Sequence, residues 1–223
     1  RSYLFSGSGN SASSPYLISS VDDWNGLVGN VYLGENYSYY YQLTDDISVT
    51  RMVGNADHPF IGHFDGDGNT LTFTANTSAD YTAPFRYVDG ADIKNLVVDG
   101  TITTSAQFAA GFIGYAQGTY TSNEITNCRS SITINSSVVG DGTHGGFIAN
   151  IDDGTTHITG CVFNGKLLGS NTESCGGFVG GAKTAYNAAS LRITNSLFAP
   201  TPDENTVSYT GSSTHWSVEG DNA

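Results

Sequence analysis

Asp65-Gly66-Asp67-Gly68-Asn69 is the segment whose residue types and spacing come nearest to metal chemistry. Oxygen-bearing side chains at alternate positions of a tight turn can converge on a hard cation, as in the first half of a Ca²⁺ loop. The second half of such a loop needs a bidentate Glu about seven residues further on, and position 76 is Asn. Two expectations follow. Asp65, Asp67 and Asn69 hold Ca²⁺, or they form a Gly-Asp turn between two strands. No other cofactor is implied.

Carboxylate pairs stand at Asp22-Asp23, Asp45-Asp46 and Asp152-Asp153. Glycoside hydrolysis needs two carboxyls facing each other across a sugar. Neighbours along a strand point to opposite faces, so a sequential pair does not itself make a site. Asp22-Asp23 reads as helix-start chemistry, and the other two pairs read as turns. Basic residues are scattered singly along the chain, and no residue is assigned a catalytic role. Aromatic rings are the other candidates. Tyr37, Tyr39 and Tyr41 alternate, and Tyr115 and Tyr120 lie in or near a loop. Flat amphipathic rings suit carbohydrate or protein surfaces, so these five are the candidate ligand-binding residues. The competing expectation is that alternate tyrosines of 37–41 pack beneath an N-terminal cap. His58, His63, His144, His157 and His215 show no metal or Ser/His/Asp spacing and are expected at surfaces or turns.

The elements that must position these residues follow from composition and repetition. The chain has 223 residues with 28 Gly, 8 Lys plus Arg, a formal net charge of -13 and a pI near 4.4. That balance argues against nucleic acid, which needs a basic footprint, and against a polybasic membrane-surface role. No apolar run approaches the roughly 20 residues of a membrane helix, so membrane insertion is not expected. The opening Arg1-Ser2-Tyr3 carries no signal peptide and suggests a mature or excised piece. Of the 3 cysteines, Cys128 and Cys161 share one slot of successive repeats. Stacked strands lie about 4.8 Å apart, so a bridge is geometrically open. Two small core thiols are the favoured reading.

Ile93-Lys94-Asn95-Leu96, Ile125-Thr126-Asn127-Cys128, Ile158-Thr159-Gly160-Cys161 and Ile193-Thr194-Asn195-Ser196 are four copies of one start signal, spaced by 32, 33 and 35 residues. A second signal follows the first three: Ala110-Gly111-Phe112-Ile113-Gly114, Gly145-Gly146-Phe147-Ile148-Ala149 and Gly176-Gly177-Phe178-Val179-Gly180. A unit this short cannot bury its own apolar face, so neighbours must stack into a solenoid. Leu96, Val98, Gly100 and Ile102, with their counterparts in later copies, are expected to point inward. Val97, Asp99, Thr101 and Thr103 are expected to point out. Asn95, Asn127, Gly160 and Asn195 are expected to turn the corner in the left-handed conformation. A β-propeller would need about four strands per repeat, more than these units contain. The expected fold is all-β, a right-handed parallel β-helix with a short N-terminal helical cap.

Residues 1–15 read as a loose lead-in. Ser20-Val21-Asp22-Asp23 reads as a capping box that opens a helix through about Val28, with Trp24 in the core. Residues 1–58 are lead-in, cap helix and first strands, 59–199 the repeats, and 200–223 a C-terminal cap or tail in which Trp216 covers the last layer. All three belong to a single structural domain.

The repeats resemble the Gly-Leu-Uncharged-Gly, or GLUG, repeat of bacterial surface proteins. The match lies in Gly-Gly-Phe-Ile/Val-Gly followed by Ile-Thr-Asn-Cys, with Phe112, Phe147 and Phe178 where the name-giving residue is Leu. Pro59 to Leu71 and Pro15 to Ser20 with Trp24 are similar to segments that precede such repeats, so the resemblance covers roughly residues 15 to 200. It implies an exported or cell-surface bacterial protein and supplies no catalytic residues. The leading expectation is a non-catalytic adhesion or carbohydrate-binding module, a monomer within a larger surface protein. It would take a host or microbial glycan or surface protein on an outer sheet face, or on loops near 135–144, 152–157 and 168–175. The alternatives are a β-helix polysaccharide lyase or glycoside hydrolase, marked by carboxylates and bases gathered on one face, and a passive spacer.

Overall fold

A computed structural model describes residues 2–35, 37–140, 143–169, 175–183 and 188–201. Strand β1 (Tyr16–Ile18) precedes helix α1 (Val21–Tyr32). The chain then winds through β2 (Tyr40–Leu43) and β3 (Ile47–Val49), and through β4 (His63–Asp65) and β5 (Thr70–Thr77). The next turn holds β6 (Phe85–Asp89), β7 (Asp92–Lys94) and β8 (Val97–Thr104). It is followed by β9 (Ile113–Thr126), β10 (Arg129–Ser130) and β11 (Thr133–Ser136), then by β12 (Ile148–Thr159), β13 (Val162–Phe163) and β14 (Lys166–Leu168). The last described turn is β15 (Val179–Ala182), β16 (Ser190–Thr194) and β17 (Leu197–Phe198). The strands form one 9-stranded and one 8-stranded sheet. Pairings such as β2–β4, β7–β9, β9–β12 and β8–β11 are parallel and join successive turns, which makes the fold a parallel β-helix.

Register puts like above like. Val98 pairs with Ser130 and Ser130 with Phe163, while Ile102, Ile134 and Leu167 form the next column. All six are buried. Ile93, Ile125, Ile158 and Ile193 make another column. Phe112, Phe147 and Phe178 stack with ring centroids 4.8 and 5.6 Å apart. The small residues before each Phe have a steric cause. A Cβ on Gly146 would lie 1.8 Å from the Gly177 carbonyl oxygen, and one on Gly176 would lie 1.6 Å from that of Val179. Pro84–Gly90 enters one slot out of step with the phenylalanine column. Phe85 pairs with Ile113, not Phe112, and its ring packs on Trp24, Phe60 and Phe64 instead.

The corners use the residues the backbone demands. Asn95, Asn127, Gly160 and Asn195 have φ of 53°, 53°, 65° and 50°. This left-handed conformation costs most residues about 1–2 kcal/mol and costs Asn and Gly less. Cys128 and Cys161 follow the corner in adjacent layers as buried free thiols. Their Sγ atoms donate to the Thr126 and Thr159 carbonyls at 3.3 and 3.4 Å.

The N-terminal cap is larger than expected. The helix runs to Tyr32, a turn beyond Val28, with Ser20 as N-cap accepting from the Asp23 amide. Residues 2–15 are packed rather than loose. Phe5 contacts Tyr16 and Tyr41, and Tyr3 donates its amide to Asn30 Oδ1 at 2.8 Å. Ser6 bridges Leu17 in antiparallel fashion and so covers the β1 edge. Trp24 is fully buried and donates Nε1–H to the Arg51 carbonyl at 2.9 Å. Burial alone would raise the Asp23 carboxyl, but hydrogen bonds from Tyr3, Ser19 and Ser20 outweigh it and hold the group below the usual range. Residues 152–157 lie within β12 and are not a loop. His144 is fully buried, accepting from the Ala109 amide, and is not the surface residue expected. Trp216 lies outside the described residues.

Trp24→Ala is expected to cost about 3–5 kcal/mol, seen as a lowered thermal midpoint; an unchanged midpoint would remove Trp24 from the core. Asn127→Ala is expected to cost about 1–2 kcal/mol, with Asn127→Gly nearly neutral. Chemical denaturation of the pair checks the corner. The Asp23 contribution is present above the ordinary carboxylate pKa and is lost as pH falls through the depressed one. Asp23→Asn should therefore flatten the acid limb of a stability–pH curve.

Candidate functional site

The long strand β9 organises the outer face of the nine-stranded sheet. Its first part pairs with β6 and the start of β12, and its last part pairs with β7 and the end of β12. Between them β9 makes an excursion that β12 lacks, shown by the register shift from Gly154/Gly118 to Thr156/Asn123. Tyr120 stands on that excursion, 97% exposed. Asn123 plugs the bend beneath it, accepting from the Gly90 and Ala91 amides at 2.9 and 3.0 Å.

On the side of β7 the register lines up one outward row: Tyr40, His63, Asp92, Glu124, His157 and Arg192, each paired with the next. Tyr40 stacks on His63 with centroids 4.0 Å apart and planes 5° apart. His63 Nδ1 is 3.0 Å from Asp92 Oδ2, and His157 Nδ1 is 2.9 Å from Glu124 Oε1. Ser38 Oγ meets His63 Nε2 at 3.2 Å, and Ser122 Oγ donates to Glu124 Oε1 at 2.8 Å. Like charges directly opposite on neighbouring strands repel. The histidines at either end of the carboxylate pair offset that repulsion. These half-exposed pairs add at most about 1 kcal/mol each, so their main effect is to orient the carboxyls.

His63, Asp92 and Glu124 of the row line an open groove of about 810 Å³, together with Pro59, Ile61, Tyr120 and Thr121, with Asp89 and Lys94 also facing it. The volume lies in the range of ligand-binding clefts. The carboxylates and the His63 imidazole can accept from and donate to hydroxyls or amides there, and the Tyr120 ring can stack on a bound group.

On the other side of the excursion four aromatic rings gather. Tyr81 and Phe108 stack at 4.6 Å with planes 6° apart. Tyr115 meets Tyr81 edge-on at 5.1 Å and Tyr87 at 5.2 Å. Tyr81 and Phe108 have φ of 54° and 66°, a conformation that costs bulky residues about 1–3 kcal/mol. Burial first, and then a hydrogen bond to Asp152, push the Tyr115 hydroxyl pKa well up.

The expected site residues therefore separate. Tyr41 is corrected: it is 3% exposed, beneath the cap against Phe5 and Phe60, and presents no surface to a ligand. Tyr39 is half-buried on Tyr16, and Tyr37 is exposed with its ring against Tyr39. Tyr115 and Tyr120 lie on opposite sides of the bend in β9. Asp65, Asp67 and Asn69 form an enlarged corner. Gly66 occupies the slot of Asn95, and Asn69 that of Leu96, so Asp67 and Gly68 are a two-residue insertion. Asp65 Oδ1 accepts from the Asp67 amide at 2.9 Å and from Asn95 Nδ2 at 3.1 Å. Gln42 donates to Asp67 Oδ2 at 3.1 Å, while Asn69 donates to the Leu43 carbonyl at 2.9 Å. These bonds serve the turn and direct the three side chains to different partners. Among the described residues no group of three or more His, Cys, Asp or Glu could hold a metal.

The titratable row was missed because its members are separated by whole repeats. A signal existed: Asp92, Glu124, His157 and Arg192 each stand immediately before the Ile of a start signal.

Millimolar Ca²⁺ is expected to leave the thermal midpoint where EDTA leaves it; a rise would show that the Asp65 corner rearranges around the ion. Tyr120→Ala should change stability by less than about 0.5 kcal/mol, and thermal melting checks that its ring is free of the core.

No family model matches the chain, and no curated protein does. A solved structure, that of a candidate immunoglobulin A1 protease from Bacteroides ovatus, is similar in fold with a TM-score of 0.57. The match has 18% identity and covers 88% of this chain and 70% of that one. At that identity the likeness carries the fold and not the activity. Among the described residues no helix is long and apolar enough to cross a membrane.

Proposed function

We propose that the chain is a non-catalytic adhesion or carbohydrate-binding module of a bacterial surface protein, built on GLUG-type repeats. The observation that carries this reading is the groove over Asp92 and Glu124 with Tyr120 at its rim. A rigid solenoid floor holds the polar groups in a fixed row, so little side-chain ordering is left to oppose binding. An open groove suits an extended ligand, and hydroxyl-rich glycans match a floor of carboxylates and one imidazole beside a tyrosine ring. The ligand class is a host or microbial glycan, with a surface protein as the other candidate.

One observation favours a second reading, a polysaccharide hydrolase. Asp92 and Glu124 are in-register neighbours on the groove floor, and strand spacing of about 4.8 Å approaches the roughly 5–5.5 Å between carboxyls of retaining glycosidases. A binding module leaves its polymer intact, whereas a hydrolase releases reducing ends. The chemistry that separates the two is that release.

Binding to a broad glycan and host-matrix array tests the proposal. Wild-type protein is expected to give a saturable hit that Tyr120→Ala and Glu124→Gln each weaken at least tenfold while remaining folded. A blank array from folded protein would leave a passive spacer. Reducing ends released from the bound polymer, and lost in Glu124→Gln, would establish the hydrolase.

A further inference from the structure

The aromatic cluster across the bend from the groove carries an inference that rests on the glycan-binding reading. We propose that Tyr81, Phe108 and Tyr115, supported by Tyr87, form a stacking platform for a pyranose unit, a second subsite of the same binding surface.

The first argument is the backbone. Tyr81, Phe108 and Thr143 are successive members of one corner column, all at positive φ: 54°, 66° and 46°. Gly145 N–H bonds to Ala109 O, and Ala110 N–H to Thr82 O, which sets these residues one above another. The corner on the other side of the sheet meets the same demand with Asn95, Asn127, Gly160 and Asn195, residue types that accept it readily. Asn or Gly would turn the chain at Tyr81 or Phe108 at lower cost. Bulky rings held in this conformation, and stacked on each other, point to a use for the rings.

The second argument is geometry. The Tyr81 and Phe108 rings stack face to face, their planes 6° from parallel and their centroids 4.6 Å apart, and Tyr115 stands edge-on to Tyr81. All four rings are half-buried. Phe108 packs inward on Ala83, Ala110 and Ala149, which fixes the cluster to the solenoid. Arg86 takes one face of Tyr87 at 5.5 Å and is itself held by the Tyr81 and Asp80 carbonyls at 3.2 and 3.1 Å. Polar groups rim the rings: Asp152 and Gln117 lie near enough to the Tyr115 hydroxyl to act on its pKa, Asp152 raising it and Gln117 lowering it. A pyranose ring offers an apolar C–H face to an aromatic ring and hydroxyls at its edge. A ring platform with a carboxylate and an amide at its border matches both.

The third argument is continuity. One strand, β9, carries Tyr115 in the platform, Tyr120 at the bend and Glu124 in the groove. A glycan bound in the groove and passing over Tyr120 reaches the platform without leaving that strand. Two linked subsites on a rigid body strengthen each other through effective concentration.

The test titrates the protein with cellohexaose, xylohexaose, mannohexaose and hexalysine, following tyrosine ring-proton shifts by NMR. Wild type, Tyr81→Asn, Tyr115→Phe and Tyr120→Ala are compared. At least one hexasaccharide is expected to shift Tyr81 and Tyr115 saturably. Tyr81→Asn, which suits the backbone better than Tyr, should bind that sugar at least tenfold more weakly with an equal or higher thermal midpoint. Tyr115→Phe keeps the ring, loses the hydroxyl and should weaken binding severalfold. Should Tyr81→Asn and Tyr115→Phe bind like wild type while Tyr120→Ala does not, the platform is wrong and the glycan-binding groove stands. No hexasaccharide bound by any form overturns both. Saturable hexalysine binding lost in Tyr81→Asn replaces the sugar with a basic partner.

Discussion

Close backbone approach between successive turns is the constraint on which everything else depends. At Gly111 and Gly146 there is no room for a Cβ, because the carbonyls of Gly146 and Gly177 in the next turn sit where it would be. That contact locks the height and register of one turn on the next. With register locked, Phe112, Phe147 and Phe178 must stack, the isoleucines must form a column, and the Asn corners must fall in line. A slip by one residue along any strand would turn its core side chains to water. The same lock that builds the core also builds the surface, since outward residues in equivalent slots are forced into rows.

Most of the interior was legible in the sequence. The start signal at Ile93, Ile125, Ile158 and Ile193 repeats because each copy fills the same space, and alternation after it separates core from surface. The αL corners were legible because Asn and Gly are the residues that accept positive φ. The cap was legible only in part. Ser20 and Trp24 announced a helix, but its last turn, through Val31 and Tyr32, was overlooked although Gly34 marks the stop: it turns left-handed at φ 91°, and the Gly34 and Glu35 amides bond the Val31 and Asn30 carbonyls. The order of residues 2–15 depends on long-range contacts such as Tyr3 with Asn30, which no local pattern encodes.

The surface was harder to read. A motif in sequence implies neighbours in sequence, and the Asp65-x-Asp67-x-Asn69 spacing resembled a cation loop for that reason. Once the register is known, those residues are a corner with an inserted pair, and their polar atoms bond the adjoining turns. Tyr41 looked like a member of a tyrosine face, yet period-two alternation sends it inward under Phe5. The His63, Asp92, Glu124 and His157 row was overlooked for the opposite reason: its members are a few ångströms apart across strands and a whole repeat apart along the chain, marked only by Asp92, Glu124 and His157 each preceding the Ile of a start signal. Tyr81 and Phe108 likewise meet because two corners stack, and nothing within either loop foretells it.

Register sets Asp92 beside Glu124 on the groove floor. Double substitution to cysteine tests it most directly. The pair Asp92→Cys with Glu124→Cys is compared with the two-residue offset pair Asp92→Cys with Thr126→Cys, using a short bifunctional thiol reagent on folded protein. The account predicts rapid intramolecular cross-linking of the first pair and little of the second, scored by mass after proteolysis. Preferential cross-linking of the offset pair would mean a different register, and the groove would then have a different floor.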